Sequence, residues 1–177
     1  MVKNRKMILF IATSLDGYIA TEDESLDWLF EVEGEGDNGY SEFFHRVDTV
    51  LMGRKTYDWV VQNTNGDFPY KDEKCYVFTR SPLENNENVQ FVNEDVVSFT
   101  KELKKNDGKN IWLVGGGELI HSFLQEKLVD ELIITVAPTL IGKGIPLFKE
   151  SDVQINLSLI GTRTFNQFVE LHYKVNK

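Results

Sequence analysis

The chain has 177 residues, enough for one domain with a sizeable core and too few for two of ordinary size. Its 19 basic against 28 acidic residues leave a net charge of -9, which argues against a general nucleic-acid or anionic-membrane surface and confines any phosphate binding to local sites. A single cysteine, Cys75, excludes an intrachain disulfide and fits a reducing, cytoplasmic compartment; within Cys75-Tyr76-Val77-Phe78 it reads as a small buried hydrophobe.

Lys3, Arg5 and Lys6 precede an apolar run, as in a signal peptide, but the run stops at Thr13-Ser14-Leu15-Asp16, too early for a membrane span and without a small-residue cleavage site. Met7 to Ala12 predicts a strand buried on both faces, with a turn at Asp16-Gly17. From Thr21 to Gly39 the chain is acidic and glycine-rich around one short amphipathic segment, Leu26 to Phe30; a connection of that length reads as a lid or as ordinary surface variability. Tyr40 to Arg46 offers a helical turn or two. Thr49 to Met52 is a second strand, which runs through Gly53 into a helix reaching Val61, and a loop follows from Gln62 to Lys71. Cys75 to Thr79 is a third strand, ending at Arg80-Ser81-Pro82, and Val89 to Val92 is a fourth. Val96, Phe99 and Leu103 then recur at helical intervals behind a cap at Asn93 or Asp95.

Ile111 to Val114 breaks into Gly115-Gly116-Gly117 and resumes helically at Glu118, Leu119 and Ile120: strand, turn, helix. Such a turn leaves backbone amides without partners at a helix N-terminus and lets an anion approach closely, although a plain tight connection reads equally well from this stretch alone. The third glycine of a dinucleotide fingerprint is replaced by Ile120, and there is no Gly-Lys-Ser/Thr. Glu131 to Val136 is a β-branched strand, Pro138 to Phe148 a loop, and Ile155 to Arg163 with Phe168 to Val175 an antiparallel pair joined near Asn166-Gln167. The whole is one α/β domain, residues 1–177, with a mostly parallel central sheet covered by helices on both faces.

Ligands of such sheets bind beyond the carboxyl ends of the strands. Three of those ends offer phosphate donors: the glycine turn, Arg54-Lys55-Thr56 and Arg80-Ser81. A dinucleotide with a pyrophosphate and an extra ribose phosphate has that pattern, which points to NADPH over NADH. His45, His121 and His172 share no metal-ligand spacing, so no metal site is expected, and Ser14 lacks a nucleophile-elbow context.

The ordered set Ser14-Leu15-Asp16-Gly17-Tyr18-Ile19-Ala20, Met52-Gly53-Arg54-Lys55-Thr56-Tyr57, Val77-Phe78-Thr79-Arg80-Ser81, Val114-Gly115-Gly116-Gly117 and Gly142-Lys143-Gly144-Ile145-Pro146-Leu147-Phe148 resembles the dihydrofolate reductase superfamily, and its riboflavin-biosynthesis reductase branch in particular. The resemblance implies a three-layer dihydrofolate-reductase-like fold. It implies an NADPH-dependent oxidoreductase acting on a small nitrogen heterocycle, as 5-amino-6-(5-phosphoribosylamino)uracil reductase does; a pterin reductase or a non-catalytic nucleotide-binding protein are the alternatives. It places Gly53, Arg54, Lys55 and Thr56 near the adenosine-side phosphates, Thr79, Arg80 and Ser81 at the ribose phosphate, and Val114, Gly115, Gly116, Gly117, Glu118 and Leu119 at the pyrophosphate. Ala12, Gly17 and Ile19 then line the nicotinamide pocket.

Two departures stand out. The lysine of the riboflavin branch, two positions before the alanine, is Phe10 here, and the acid before its paired glycines is Gly115. Candidate acids are Asp16 first, where turn chemistry is the competing reading, and then Tyr18, Asp27 and Glu31; Glu31, Glu33 and Asp37 are within reach, by spacing, of the acid that folate reductases carry after a tryptophan, but none matches that pattern. Ser14, Asp16, Trp28, Phe30 and Tyr57 are candidate substrate contacts; for Trp28 and Phe30 the alternative is core packing. The apolar stretch Leu132 to Leu140 is a candidate homodimer interface.

Overall fold

The computed structural model describes residues 4–177, so Lys3 lies outside the described residues. In chain order the first elements are β1 (Met7–Ser14), β2 (Tyr18–Ala20), α1 (Asp27–Phe30), α2 (Tyr40–Phe44) and β3 (Val47–Gly53). Then come α3 (Arg54–Asn63), β4 (Lys74–Phe78), β5 (Gln90–Val92), α4 (Val96–Lys105) and β6 (Asn110–Gly115). The last are α5 (Gly117–Gln125), β7 (Glu131–Ala137), β8 (Ile145–Pro146), β9 (Leu157–Phe165) and β10 (Phe168–Val175).

Eight strands form one sheet in the order β5-β4-β3-β6-β1-β7-β10-β9. From β5 to β7 every neighbouring pair is parallel, while β10 runs antiparallel to both β7 and β9. The strand period of two sorts side chains onto two faces. On one, Leu9, Leu51 and Leu113 meet Phe99 and Leu103 of α4 and Ile120 and Phe123 of α5. On the other, Ile8, Val50, Met52 and Trp112 meet Phe43 of α2, Val60 of α3 and Phe68 and Tyr70 of the following loop. Both faces of the parallel strands are therefore apolar, which is why their sequences read as continuous runs. Asp95, and not Asn93, caps α4: its carboxylate accepts from the Val97 and Ser98 amides at 3.0 Å.

Two expectations need correction. The segment read as loop from Pro138 to Phe148 contains β8, which pairs with β2 as a second, two-stranded sheet. Of the stretch Leu132 to Leu140 expected to be exposed, Leu132, Ile133 and Ile134 are buried in β7, which lies between β1 and β10, whereas Leu140 is 71% exposed. Large exposed apolar residues also sit on the edge strand β9, at Leu157, Leu159 and Ile160.

The amino ends of the strands are tied by ion pairs. Arg5, 2% exposed, donates to Asp48 Oδ1 at 2.5 Å, Thr49 Oγ1 at 2.7 Å and the Lys109 carbonyl at 2.7 Å. Asp130 accepts from the Met7 amide, Lys104 and Lys177. Cys75 is buried, and burial pushes its thiol up to about 12, so it is inert as a nucleophile. No helix among the described residues is long and apolar enough to cross a membrane.

Candidate functional site

Parallel strands aim their carboxyl ends at one edge, so the loops after β1, β3, β4, β6 and β7 gather there. At its centre is the glycine turn between β6 and α5. Gly115 has φ +139°, a conformation that L side chains rarely adopt. At Gly117 a Cβ would lie 3.1 Å from the Pro146 carbonyl oxygen, so a side chain there would press on β8 where it closes over the turn.

The same turn packs against the start of α3. A Cβ on Gly116 would stand 3.3 Å from Thr56 Oγ1, and one on Gly53 3.7 Å from the Gly116 nitrogen. Two helices thus begin side by side, α3 behind Gly53 and α5 behind Gly116, and neither N-cap makes a side-chain hydrogen bond. Their first amides have no intrahelical acceptor, and helix N-termini of this kind favour negative charge.

Cations flank the two helix starts. Arg54 lies over the Phe91 ring, 5.7 Å from its centroid, with Nε donating to Asp58 Oδ1 at 2.9 Å; Lys55 is exposed. Arg80 and Ser81 are exposed after β4, where Thr79 Oγ1 donates to the Ser81 carbonyl at 2.9 Å. Glu118 is paired with Lys149, whose hydrogen bond and charge hold the Glu118 carboxyl below its ordinary range; Arg80 and His121 add to the effect. Leu119 is buried in the core and Val114 packs against the α2 and α3 face, so both reach the edge through backbone alone.

Next to the turn is a cleft of about 400 Å³. Phe10, Ile11 and Ala12 of β1, Thr135 of β7 and Phe168 of β10 line it from the sheet. Leu29 and Phe30 of α1, Tyr40 of α2, and Val32, Asp37 and Asn38 between them complete it. Ile11 is shared: a Cβ on Gly115 would meet its Cδ1 at 3.9 Å, so cleft and glycine turn abut. Phe10 stacks on Phe43 with ring centroids 4.1 Å apart and planes 4° from parallel, and its ring fills the place where the resemblance implies a lysine. A second, wider cleft of about 700 Å³ shares Gly36 and Asp37 with the first and is lined by Glu35, Glu42, Arg163 and Phe165.

The loop after β1 is held by Asp16. Ser14 Oγ donates to Asp16 Oδ1 at 2.6 Å, and the Ile141 and Gly142 amides donate to the same carboxylate at 3.3 and 2.8 Å. The Ser14 hydroxyl, aided by these amides, holds the Asp16 carboxyl below its usual range against a smaller opposing effect of burial. Ser14 is itself buried and accepts from the Tyr18 amide at 2.9 Å, while the Gly17 carbonyl accepts from Leu147. Ile19, in β2, packs against the core cluster on the α5 face.

Of the candidate substrate contacts, Phe30 lines the first cleft. Trp28 donates its indole N–H to the Ser25 carbonyl, and Tyr57 packs edge-on against Phe68 and Phe91 with its hydroxyl accepting from Asn86; neither lines that cleft. Glu31 is exposed at the end of α1 and does not line it either. The acid that does is Asp37, fixed by the Ser41 amide at 2.9 Å from Oδ2. Thr135 and Phe168 lie in segments read from sequence only as strands. The signal for Thr135 is a hydroxyl in an otherwise apolar run, opposite Ala12 in the β1–β7 register.

The sheet order, the glycine turn and the cleft beside it define a dihydrofolate-reductase-like domain. The fold matches the Enterococcus faecalis dihydrofolate reductase complexed with NADP(H) at a TM-score of 0.67 and 16% identity, over 100% of both chains. Residues 5–171 match the RibD C-terminal domain, and the chain belongs to that family. It is 34% identical to the crystal structure of a putative riboflavin biosynthesis protein from Shewanella sp. PV-4, covering 97% of this chain and 99% of that one with a TM-score of 0.88. Among curated proteins it is 54% identical over 170 residues to the uncharacterized protein YwjB of Bacillus subtilis (strain 168), 96% of this chain and 97% of that one.

Proposed function

We propose that the protein is an oxidoreductase that binds NADPH at the glycine turn and reduces a small nitrogen heterocycle in the adjoining cleft. The observation that carries the reading is the meeting of two helix starts without side-chain caps, α3 and α5, at one gap that shares Ile11 with the cleft. Membership of the RibD C-terminal family supports it, as does the likeness of the fold to a reductase complexed with NADP(H).

The residues present fit this cofactor. The amides that open α3 and α5, with Thr56, suit the pyrophosphate and adenosine-side phosphates; Arg80 and Ser81 suit the ribose phosphate; Ala12, which lines the cleft, suits the nicotinamide end together with Gly17 and Ile19 of the segment after β1. When bound, NADPH supplies a hydride, and the protein supplies orientation and exclusion of water. Phe10, Phe30 and Tyr40 provide apolar walls that hold a flat ring and limit its hydration. Asp16, with three hydrogen bonds to its carboxylate, stays ionised at neutral pH; its part is to fix the loop beside the nicotinamide end, not to donate a proton.

The test is the affinity of Arg80→Ala for NADPH and for NADH. Loss of a guanidinium–phosphate contact weakens NADPH by about tenfold to a hundredfold, on the order of 1.5–3 kcal/mol, and leaves NADH within about twofold. Equal losses for both cofactors would remove Arg80 from the ribose phosphate.

A further inference from the structure

The two clefts and the cofactor edge differ in charge, and that difference bears on what the cleft accepts. Among the described residues the first cleft has no Lys, Arg or His in its lining, and its one charged residue is Asp37. The second, continuous with it through Gly36 and Asp37, adds Glu35 and Glu42, with Arg163 as its only cation. That cation is already engaged. Arg163 Nε and Nη2 donate to Glu170 at 2.9 and 3.3 Å, Nη1 donates to Glu42 at 2.9 Å, and its Cζ sits 5.1 Å from the Phe165 ring centroid. Glu170, 3% exposed, depends on Arg163 as its counter-ion, so transferring the guanidinium to a ligand would leave a buried carboxylate unpaired. On the glycine-turn side stand Arg54, Lys55, Arg80 and Lys149.

We propose that the molecule reduced in the cleft carries no phosphate or other anionic group, and is a flat, neutral or cationic heterocycle packed against Phe10 and Tyr40 with Asp37 at its polar edge. The proposal rests on the reductase reading and narrows it: a phosphoribosyl substrate is excluded. A phosphate needs forked or clustered donors, and among the described residues the exposed Lys55 and Arg80, like the ion-paired Arg54 and Lys149, lie on the cofactor side. Placed in the cleft, it would instead face Asp37, with Glu35 and Glu42 in the adjoining cleft, and like charges set together repel. Where the resemblance implies a lysine, Phe10 stacked on Phe43 supplies an apolar wall, which suits a ring and repels an ion. Phosphate recognition is thereby reserved for the cofactor, and phosphorylated metabolites are kept out of the neighbouring site.

The test is a panel of one- and two-ring nitrogen heterocycles, each prepared plain, amino-substituted and phosphomethylated. Binding is measured by saturation-transfer NMR and titration, with and without NADPH. Plain and amino-substituted members are expected to bind, and their phosphomethylated counterparts at least about tenfold more weakly. Asp37→Asn should reduce the affinity of the amino-substituted members and narrow that discrimination. Phosphomethylated members binding as tightly as plain ones would overturn the proposal, and so would failure of every plain and amino-substituted member to bind. The same preference without NADPH upholds it independently of the cofactor, whereas failure of NADPH to bind would overturn the reductase reading alone.

Discussion

Both carboxylate oxygens of Asp16 are engaged by hydrogen bonds around the loop after β1. Its place at the end of β1 makes it a candidate acid, yet its carboxylate accepts from Ser14, Ile141 and Gly142 and so staples the β1 loop to the segment that carries β8. Asp16→Asn keeps the shape and removes the charge that strengthens these bonds. Amide hydrogen exchange at Ile141 and Gly142 should then rise by about tenfold, equivalent to ~1.4 kcal/mol, while exchange in β1 stays unchanged. Unaltered exchange at both amides would show that the carboxylate does not hold the loop. Stacked on Phe43 and edge-on to Trp112, Phe10 should cost about 3–4 kcal/mol of unfolding free energy when replaced by Ala, measured by urea denaturation. A loss below ~1 kcal/mol would mean that the aromatic wall adds little to packing.

The β6–turn–α5 unit couples the fold to the site. Gly115 needs a conformation closed to other residues and Gly117 a space filled by β8, so the three glycines seat both a helix start and the small β2–β8 sheet. Gly117→Val should push β8 away from the turn and weaken NADPH by at least about tenfold, checked by titration against wild type, with thermal stability read in parallel. Undiminished affinity in a folded variant would separate β8 from cofactor binding. This unit was legible in sequence because glycine after an apolar run has few other uses. The strands were legible for a related reason, burial on both faces. What was not legible depended on distant pairing. β8 is two residues long and exists only against β2; Thr135 joins the cleft through its register with Ala12; and Asp37 is placed by a loop whose path follows no periodicity. In the stretch Leu132 to Leu140 the burial of Leu132, Ile133 and Ile134 was not legible because sequence does not say that β10 covers β7.

Over the whole molecule the sheet separates two kinds of chemistry. Its carboxyl edge gathers the glycine turn, the cations and the cleft, while its amino edge is given to stability, through Arg5 with Asp48 and Lys104 and Lys177 with Asp130. Burial tends to raise the carboxyls of Asp48 and Asp130, but the Lys109 amide, Thr49 hydroxyl and Arg5 at the first, and Lys104, Lys177 and the Met7 amide at the second, hold both below their ordinary value. Groups with lowered folded values stabilise the protein fully above their unfolded pKa of ~3.9, and that stability is lost as pH falls through the folded values. The melting temperature should therefore drop below about pH 4, and Asp130→Asn should melt lower at neutral pH with a shallower acid decline. An acid decline identical to wild type would remove Asp130 from the cause. The central claim concerns the other edge, and calorimetric titration of the wild-type protein with NADPH and with NADH at matched salt tests it most directly. Saturable NADPH binding, with NADH weaker by at least about tenfold, is the predicted result. No binding of either would contradict the account, because the paired helix starts and the cations around them would then have no anionic dinucleotide to hold.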